Sequence, residues 1–172
     1  MKGSLHTVAL AAAAAWAIGI PAGASAAPLD ELNRFAGTWQ SQGSFVDTPY
    51  SKAGDASATT TCEWSIDRSF MICQQRVIMN GKPDDDIAIY TYDQAAQAYH
   101  FYNVRPTQST SITITIAGDT ITYPFSFTDQ GKTVMVRTLN LWKNPSLYTW
   151  RTEYSLDGGA TWKLMASGTS RK

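Results

Sequence analysis

The eight residues Leu32–Trp39, LNRFAGTW, decide the fold of this chain. Leu32 and Phe35 keep the spacing of one helical face, and Gly37 is the residue type that commonly ends a helix. The residues of 38–46 then continue as an extended segment. The stretch therefore predicts a short N-terminal helix that passes through Gly37 into the first strand of a sheet.

The rest of the chain is almost entirely strand and turn. Short segments in which apolar and polar residues alternate are separated by turn residues such as Asn80-Gly81 and Gly118-Asp119. About ten such strands, each with one apolar face, predict an all-β fold, an up-and-down antiparallel β-barrel of lipocalin-like type. The longest irregular segment, 47–58, contains Pro49 and Gly54 and is predicted to be a loop near the barrel's entrance.

The pairing registers of the late hairpins agree with one another. Pairing Ile116 with Ile121 keeps every apolar residue of that hairpin on one side of the sheet. Pairing Trp142 with Tyr148 does the same in a later hairpin. One apolar face and one polar face are typical of an antiparallel sheet that packs on a core.

Two further features of the late strands depend on these registers. The register of Trp142 places Arg137 opposite Glu153, an opposite-charge pair suited to the solvent side. Pro124 cannot donate a ladder hydrogen bond, so it predicts a bulge or an opened edge in its strand.

Cys62 and Cys73 are the two cysteines of the chain. If 66–69 forms a four-residue turn between two strands, they fall on a directly opposed, non-hydrogen-bonded pair, where side chains approach most closely. We therefore predict a disulfide, which would stabilise the fold by about 2–3 kcal/mol in the chain-entropy account. A redox pair is the alternative, but the chain has no C-x-x-C motif.

Residues 1–26 have the features of a cleavable bacterial signal peptide. Lys2 supplies the positive start, 8–20 is an almost unbroken apolar run, and Ala24-Ser25-Ala26 suits signal peptidase. We predict cleavage after Ala26, a single barrel domain over 27–172, and a periplasmic or secreted location. An oxidising compartment agrees with the predicted disulfide.

The charge balance argues against some classes of partner. The chain carries 14 Lys and Arg against 14 Asp and Glu, with no basic or acidic block. We therefore expect no nucleic-acid partner and no anionic membrane surface as partner, and no membrane span in the mature chain. Asp84-Asp85-Asp86 is expected to be a solvated turn, with a weak calcium site as the functional alternative.

Gly37-Thr38-Trp39 resembles the G-x-W entry of the calycins, the superfamily of lipocalins, fatty-acid-binding proteins and nitrobindins. The resemblance extends loosely over the mature chain. It implies that Trp39 packs at the closed end of the barrel, covered by a basic residue of the last strand, here Arg171. Nitrobindin-like calycins hold haem through a histidine. His100, the one histidine after residue 26, is therefore a weak candidate haem ligand, and no metal site is predicted.

The chain also resembles an uncharacterised family of exported bacterial proteins of this shape. They share a Tyr-Asp turn, here Tyr92-Asp93, and a late D-G-G-x-T-W, here 157–162. Membership implies a fold and no established activity. The segment 155–162, SLDGGATW, also matches the Asp-box of sialidases. We interpret it as a hairpin turn in which Asp157 bonds backbone amides and Trp162 packs inward.

The candidate binding residues are aromatic and polar side chains that the registers place on the apolar faces of the late strands. Aromatic walls with a few polar groups are typical of pockets for small apolar ligands. Leaving an amide unpaired inside a barrel costs about 1–3 kcal/mol, so such a residue needs a partner. The predicted cavity residues are Tyr123, Thr138, Asn140, Tyr148, Trp150, Thr152 and Tyr154.

We therefore expect an exported protein that binds a small hydrophobic or amphipathic molecule and needs no cofactor, rather than an enzyme. Three alternatives stay open. The protein could bind haem or nitric oxide through His100, or it could be an enzyme with a carboxylate or His100 as its base. It could also be a structural protein whose barrel is filled by its own side chains.

Overall fold

The computed structural model describes residues 28–172, so the predicted signal peptide lies outside the described part of the chain. This part begins with a short 3₁₀ helix over Pro28–Phe35, whose first turn carries two acidic residues. Negative charge is favourable at that end of a helix. The strands are β1 (Gly37–Phe45), β2 (Gly54–Trp64), β3 (Phe70–Met79), β4 (Lys82–Pro83), β5 (Asp86–Asp93), β6 (Ala98–Val104), β7 (Ser109–Ala117), β8 (Thr120–Asp129), β9 (Lys132–Asn144), β10 (Leu147–Ser155) and β11 (Lys163–Arg171).

Ten of these strands form one closed antiparallel barrel. Neighbours in the chain are neighbours in the sheet, β1 pairs with β11 to close the ring, and β4 is a two-residue extension beside β3. The prediction of an all-β, up-and-down barrel of about ten strands is therefore confirmed. Within 28–172, no helix is both long and apolar enough to cross a membrane.

The predicted registers are the observed ones. The outward-facing pair of β9 and β10 also forms an ion pair, with Arg137 Nη2 2.8 Å from Glu153 Oε2. Because these registers were derived from one-sided apolar patterns, their agreement shows that the apolar faces do point into the barrel. The observed pairs are Ile116–Ile121, Trp142–Tyr148 and Arg137–Glu153.

The ladder between β7 and β8 is the short seam of the barrel. It ends at the pair Thr115–Thr122, although β7 continues to Ser109 beside β6 and β8 continues to Asp129 beside β9. Pro124 lies just beyond the last β7–β8 pair, and its pairing with β9 shows no register shift. Of the two predicted outcomes, the opened edge is therefore the one observed, as expected for a residue without an N–H.

Strand β2 begins earlier than predicted. The irregular segment expected over 47–58 covers only 46–53, because 54–58 pairs with 41–45 of β1. Gly, Asp and Ser are depleted in strands, so the composition of 54–58 concealed a strand that its partner specifies.

A bulge in the last hairpin changes which residues face inward. The register between β10 and β11 shifts at Met165, which is the extra residue. Met165 and Ala166 are buried, whereas Leu164 faces solvent. The prediction that Trp162 packs inward is therefore wrong. Its ring lies on the outer face, with its centroid 3.9 Å from the guanidinium carbon of Arg137.

The helix closes one end of the barrel. Leu32 and Phe35 are buried among aromatic side chains of the strands. Trp39 is 1% exposed and donates its indole N–H to the Phe35 carbonyl at 2.7 Å. Its ring also meets Trp142 and Tyr148 edge to face, and such contacts add roughly 0.5–1.5 kcal/mol each beyond burial. We call the cluster Leu32, Phe35, Trp39, Trp142 and Tyr148 the closed end.

The calycin resemblance implied that Arg171 covers Trp39. This prediction is wrong, because the basic residue over Trp39 is Lys172. Lys172 Nζ lies 4.8 Å from the centroid of the Trp39 ring. Alternation along β11 explains the difference. Ser170 faces inward and is fully buried, so Arg171 faces outward, where it pairs with Gln40 of β1.

Cys62 and Cys73 form the predicted disulfide. They are directly opposed on β2 and β3, with their Cα atoms 4.0 Å apart. Both side chains are buried, and reactive cysteines need access to solvent. The buried position therefore favours a structural bridge over a redox pair.

Candidate ligand-binding site

A cavity of about 550 Å³ lies inside the barrel above the closed end. Its floor contains Phe35 and Trp39, and its walls reach the opposite rim, where the strands β1, β3, β6 and β8 end. The described barrel is therefore not filled by its own side chains. Six of the seven predicted cavity residues line this space: Tyr123, Thr138, Asn140, Tyr148, Trp150 and Thr152.

Tyr154, the seventh predicted residue, does not line the cavity. It is buried in a second apolar cluster with Val134, Val136 and Met165. Tyr50, from the loop 46–53, packs its ring on Tyr154 with the ring centroids 5.2 Å apart. Tyr154 thus has the expected inward direction, but the loop occupies the space where a ligand would meet it.

The loop 46–53 reaches across part of the open rim. Tyr50 packs on Phe127 of β8, with centroids 5.3 Å apart, and its hydroxyl donates to Asp129 Oδ2 at 3.4 Å. Burial and the Asp129 carboxylate raise the pKa of Tyr50, so its phenol remains a donor at neutral pH. Since β8 lies four strands from β1 in the ring, this contact narrows the entrance on one side.

Several hydroxyl groups on the cavity wall pair with one another. The hydroxyls of Tyr90 and Tyr123 lie 3.2 Å apart, and those of Thr138 and Thr152 lie 2.9 Å apart. Burial raises the pKa of both tyrosines, so their phenols stay neutral. Each of these four hydroxyl oxygens therefore has a hydrogen-bond partner without a ligand.

Trp150 lies against a gap that two glycines leave in the wall. Gly43 of β1 pairs with Gly168 of β11, which pairs in turn with Trp150 of β10. A Cβ atom at Gly168 would overlap the indole ring, and one at Gly43 would lie 2.5 Å from a carbon of that ring. Both positions must be glycine for the ring to lie this close to the sheet. An isolated glycine inside an alternating strand is the sequence signal that predicts such a close approach.

Five polar side chains gather at the open rim on the wall formed by β3, β5 and β6. We call them the mouth cluster: Gln75, Asp84, Asp86, Asn103 and Arg105. Arg105 donates to Asp84 Oδ2 at 2.8 Å and to Asn103 Oδ1 at 3.1 Å. Its Nη2 lies 3.8 Å from Asp86 Oδ2, too far for a hydrogen bond. None of the five was predicted as a cavity residue.

Asp86 is the buried acid of the mouth cluster. Its side chain is 6% exposed, and its Oδ1 has no hydrogen-bond partner within 28–172. Burial raises the pKa of Asp86, and the nearby Asn103 amide and Arg105 guanidinium only partly oppose this. The expectation of a solvated turn holds for exposed Asp85 and is wrong for Asp86.

His100 does not belong to this site. The cavity takes Phe101 and Asn103 from β6 and Arg105 from the position just after it, so alternation turns His100 to the outer face. It can neither ligate a haem held in the cavity nor act there as a base beside Asp86. Among the described residues, no three His, Cys, Asp or Glu side chains are grouped so as to hold a metal ion.

The SLDGGATW segment forms a compact turn outside the cavity. Asp157 accepts from the Thr161 backbone N–H at 2.9 Å and from the Ser155 hydroxyl at 2.7 Å. Together with the Thr161 hydroxyl, these donors lower the pKa of Asp157 to about 2. Its hydrogen-bonding capacity is used within the turn, as the hairpin interpretation predicted.

The chain forms a closed ten-stranded antiparallel barrel with an internal cavity. The solved structures that share this fold include the following two. Rv2717c from M. tuberculosis matches with a TM-score of 0.57 at 13% identity, over 85% of this chain and 98% of that one. The S-type phycobiliprotein lyase CPES from Guillardia theta matches with a TM-score of 0.53 at 12% identity, over 83% and 91%. No protein-family model and no curated protein sequence matches the chain.

Proposed function

We propose that this protein binds a small hydrophobic or amphipathic molecule inside its barrel. The observation that carries the proposal is the cavity of about 550 Å³, within the range of roughly 300–1,000 Å³ common for ligand pockets. Its lower walls are aromatic, and its ionisable groups gather at the mouth cluster. This distribution suits a ligand with an apolar body and one polar end.

A neutral fluorescent dye tests the cavity directly. N-phenyl-1-naphthylamine brightens in apolar surroundings, and the wild-type protein should bind it saturably. Ala58 lines the cavity, whereas the next residue, Thr59, faces outward with its hydroxyl bonded to Gln40. Ala58→Trp should weaken dye binding about tenfold or more, because the indole fills space that the dye needs.

Thr59→Trp is the matched control, since it adds the same indole to the other face of the same strand. It should bind the dye like the wild type. Thermal unfolding of both variants verifies that they are folded. Equal dye affinity of the two folded variants, or no saturable binding by the wild type, would contradict a binding cavity.

The proposal includes an extracytoplasmic site of action and membership of the exported bacterial family that shares the Tyr-Asp turn and the late D-G-G-x-T-W. It is supported by the signal-like sequence of residues 1–26 and by the disulfide Cys62–Cys73, which suits an oxidising compartment. N-terminal sequencing of the protein isolated from the periplasm or medium of its own host should find Ala27 first. A chain that retains Met1 and accumulates in the cytoplasm would refute this part.

A further inference from the structure

We propose that the ligand is an organic amine whose protonated nitrogen binds Asp86 at the mouth of the cavity. The inference rests on the proposed function and adds the chemical class of the ligand. Its basis is a carboxylate oxygen, Asp86 Oδ1, that is buried on the cavity wall without a hydrogen-bond partner among residues 28–172.

An unpaired carboxylate oxygen is unfavourable in that position. The Asp86 side chain has lost nearly all its contact with water, and a buried polar atom that gives up its bonds to water without replacement destabilises the fold. An N–H donor on a ligand would restore the missing bond. A cationic donor would form the shorter and stronger charge-assisted bond.

The charges of the mouth cluster favour a cation over an anion. Two carboxylates, Asp84 and Asp86, share a single guanidinium, that of Arg105. Arg105 is the one cation among the described residues that line the cavity. Its hydrogen bonds go to Asp84 and Asn103, and it stays 3.8 Å from Asp86. An anionic ligand group here would meet excess negative charge at short range.

Gln75 supplies a second acceptor for the same nitrogen. It lies directly opposite Asp86 in the β3–β5 ladder and also lines the cavity. A primary ammonium has three N–H donors and no acceptor. The Gln75 amide oxygen can therefore accept an N–H that Asp86 leaves free.

The apolar body of the ligand has a counterpart on the facing wall. In the ten-strand ring, β5 and β10 are five strands apart in either direction, so they form opposite walls. Asp86 begins β5, and Trp150 lies on β10 above its two glycines. An amine held at Asp86 would extend its body across the cavity towards the Trp150 indole.

Three dansyl probes that share one apolar body separate charge from hydrophobicity. They are N-dansylcadaverine, which ends in a primary amine, its neutral N-acetyl derivative, and N-dansyl-aminohexanoic acid, which ends in a carboxylate. The wild type should bind the amine about tenfold more tightly than the acetyl derivative, and the carboxylate most weakly.

Asp86→Asn should abolish this preference by weakening the amine about tenfold while leaving the acetyl derivative unchanged. Asp85→Asn is the matched control, because it removes one negative charge from an exposed neighbour of Asp86. It should keep the preference. Thermal unfolding confirms that each variant is folded, and the wild-type ranking of the three probes stands as a test without any variant.

Equal affinity for the three probes, each lost in Ala58→Trp, would overturn the amine inference and leave the binding cavity standing. Equal weakening of the amine by Asp85→Asn and Asp86→Asn would overturn the amine inference in the same way. Failure of every probe to bind the wild type would overturn both proposals together.

Discussion

The two ends of the barrel differ in the chemistry of their buried groups. At the closed end, five large side chains bury one another and the Trp39 indole N–H reaches the Phe35 carbonyl, but the Trp142 indole N–H has no partner within 28–172. At the mouth cluster, Arg105 bonds Asp84 and Asn103, while Asp86 is buried with one oxygen unmatched. The unmatched N–H of the closed end is neutral and lies among packed rings, whereas the unmatched oxygen of the mouth cluster belongs to an acid that lines the cavity, where a ligand can use it.

The largest expected effect is at the closed end. Trp39→Ala should lower the free energy of unfolding by about 3–5 kcal/mol, because it empties the floor of the barrel. Urea denaturation followed by circular dichroism measures this change. Trp162→Ala, which removes an indole from the outer face, is the control and should cost much less. Similar losses for the two variants would contradict the assignment of Trp39 to the core.

The disulfide should contribute the next largest effect. Replacing both Cys62 and Cys73 by Ala should cost about 2–3 kcal/mol of stability by freeing the unfolded chain. Reduction of the wild type should lower its free energy of unfolding in urea by a comparable amount. Two free thiols in the unreduced, unfolded wild type would refute the bridge.

A substitution at the glycines beside Trp150 should have an intermediate effect on stability and should also change ligand binding. Gly168→Ala should cost about 1–3 kcal/mol, because the new Cβ would overlap the Trp150 ring and the Gln42 carbonyl oxygen. It should also weaken dye binding by displacing the indole into the cavity. Gly118→Ala is the comparison, at a turn where a Cβ meets no other atom within 4 Å. The positive φ of 56° at Gly118 is strained for alanine, so this variant should lose some stability but keep its affinity for the dye.

Substitution of Asp86 should have the smallest effect on the free energy of unfolding, and the effect should be neutral or stabilising. The pKa of Asp86 is raised above the ordinary 3.8, so the folded state holds this proton more tightly than the unfolded state. The stability tied to the protonated acid is present at low pH and is lost as pH rises through the folded pKa. Asp86→Asn should therefore be as stable as the wild type or slightly more stable at neutral pH.

Urea midpoints at neutral pH and near pH 4 measure this difference between Asp86→Asn and the wild type, which should shrink at the lower pH. Comparing variant with wild type cancels the opposite contribution of Asp157, whose pKa is lowered to about 2. A variant clearly less stable at neutral pH would show that the ion pair with Arg105 outweighs the burial of Asp86.

The closed end and the late hairpins could be predicted because their signals are local. LNRFAGTW encodes its own helix and strand, and one-sided apolar strands tolerate only one register, as the pair Trp142–Tyr148 shows. The disulfide followed from the same counting. The choice of Arg171 over Lys172 came from the family resemblance. Counting every second residue from the inward-facing Ala166 leads to Lys172 and not to Arg171.

The mouth cluster could not be predicted because its members come from three strands and from the connections beside them, and because they look like surface residues. Asp84, Asp85 and Asp86 are identical in type, and only the start of β5 and its pairing with Gln75 turn Asp86 inward. The bulge at Met165 is equally invisible in the alternating pattern. Tyr154 had the right direction, but the loop residue that covers it is remote in sequence.

The indoles of Trp150 and Trp162 give the most direct test of a ligand site inside the barrel. Trp150 lines the cavity beside its glycines, whereas the Trp162 ring lies on the outer face over Arg137. In ¹H–¹⁵N spectra recorded during titration with N-phenyl-1-naphthylamine, the Trp150 indole signal should shift saturably and the Trp162 signal should hardly move. An unmoved Trp150 signal, with shifts confined to outer-face residues, would contradict binding within the cavity.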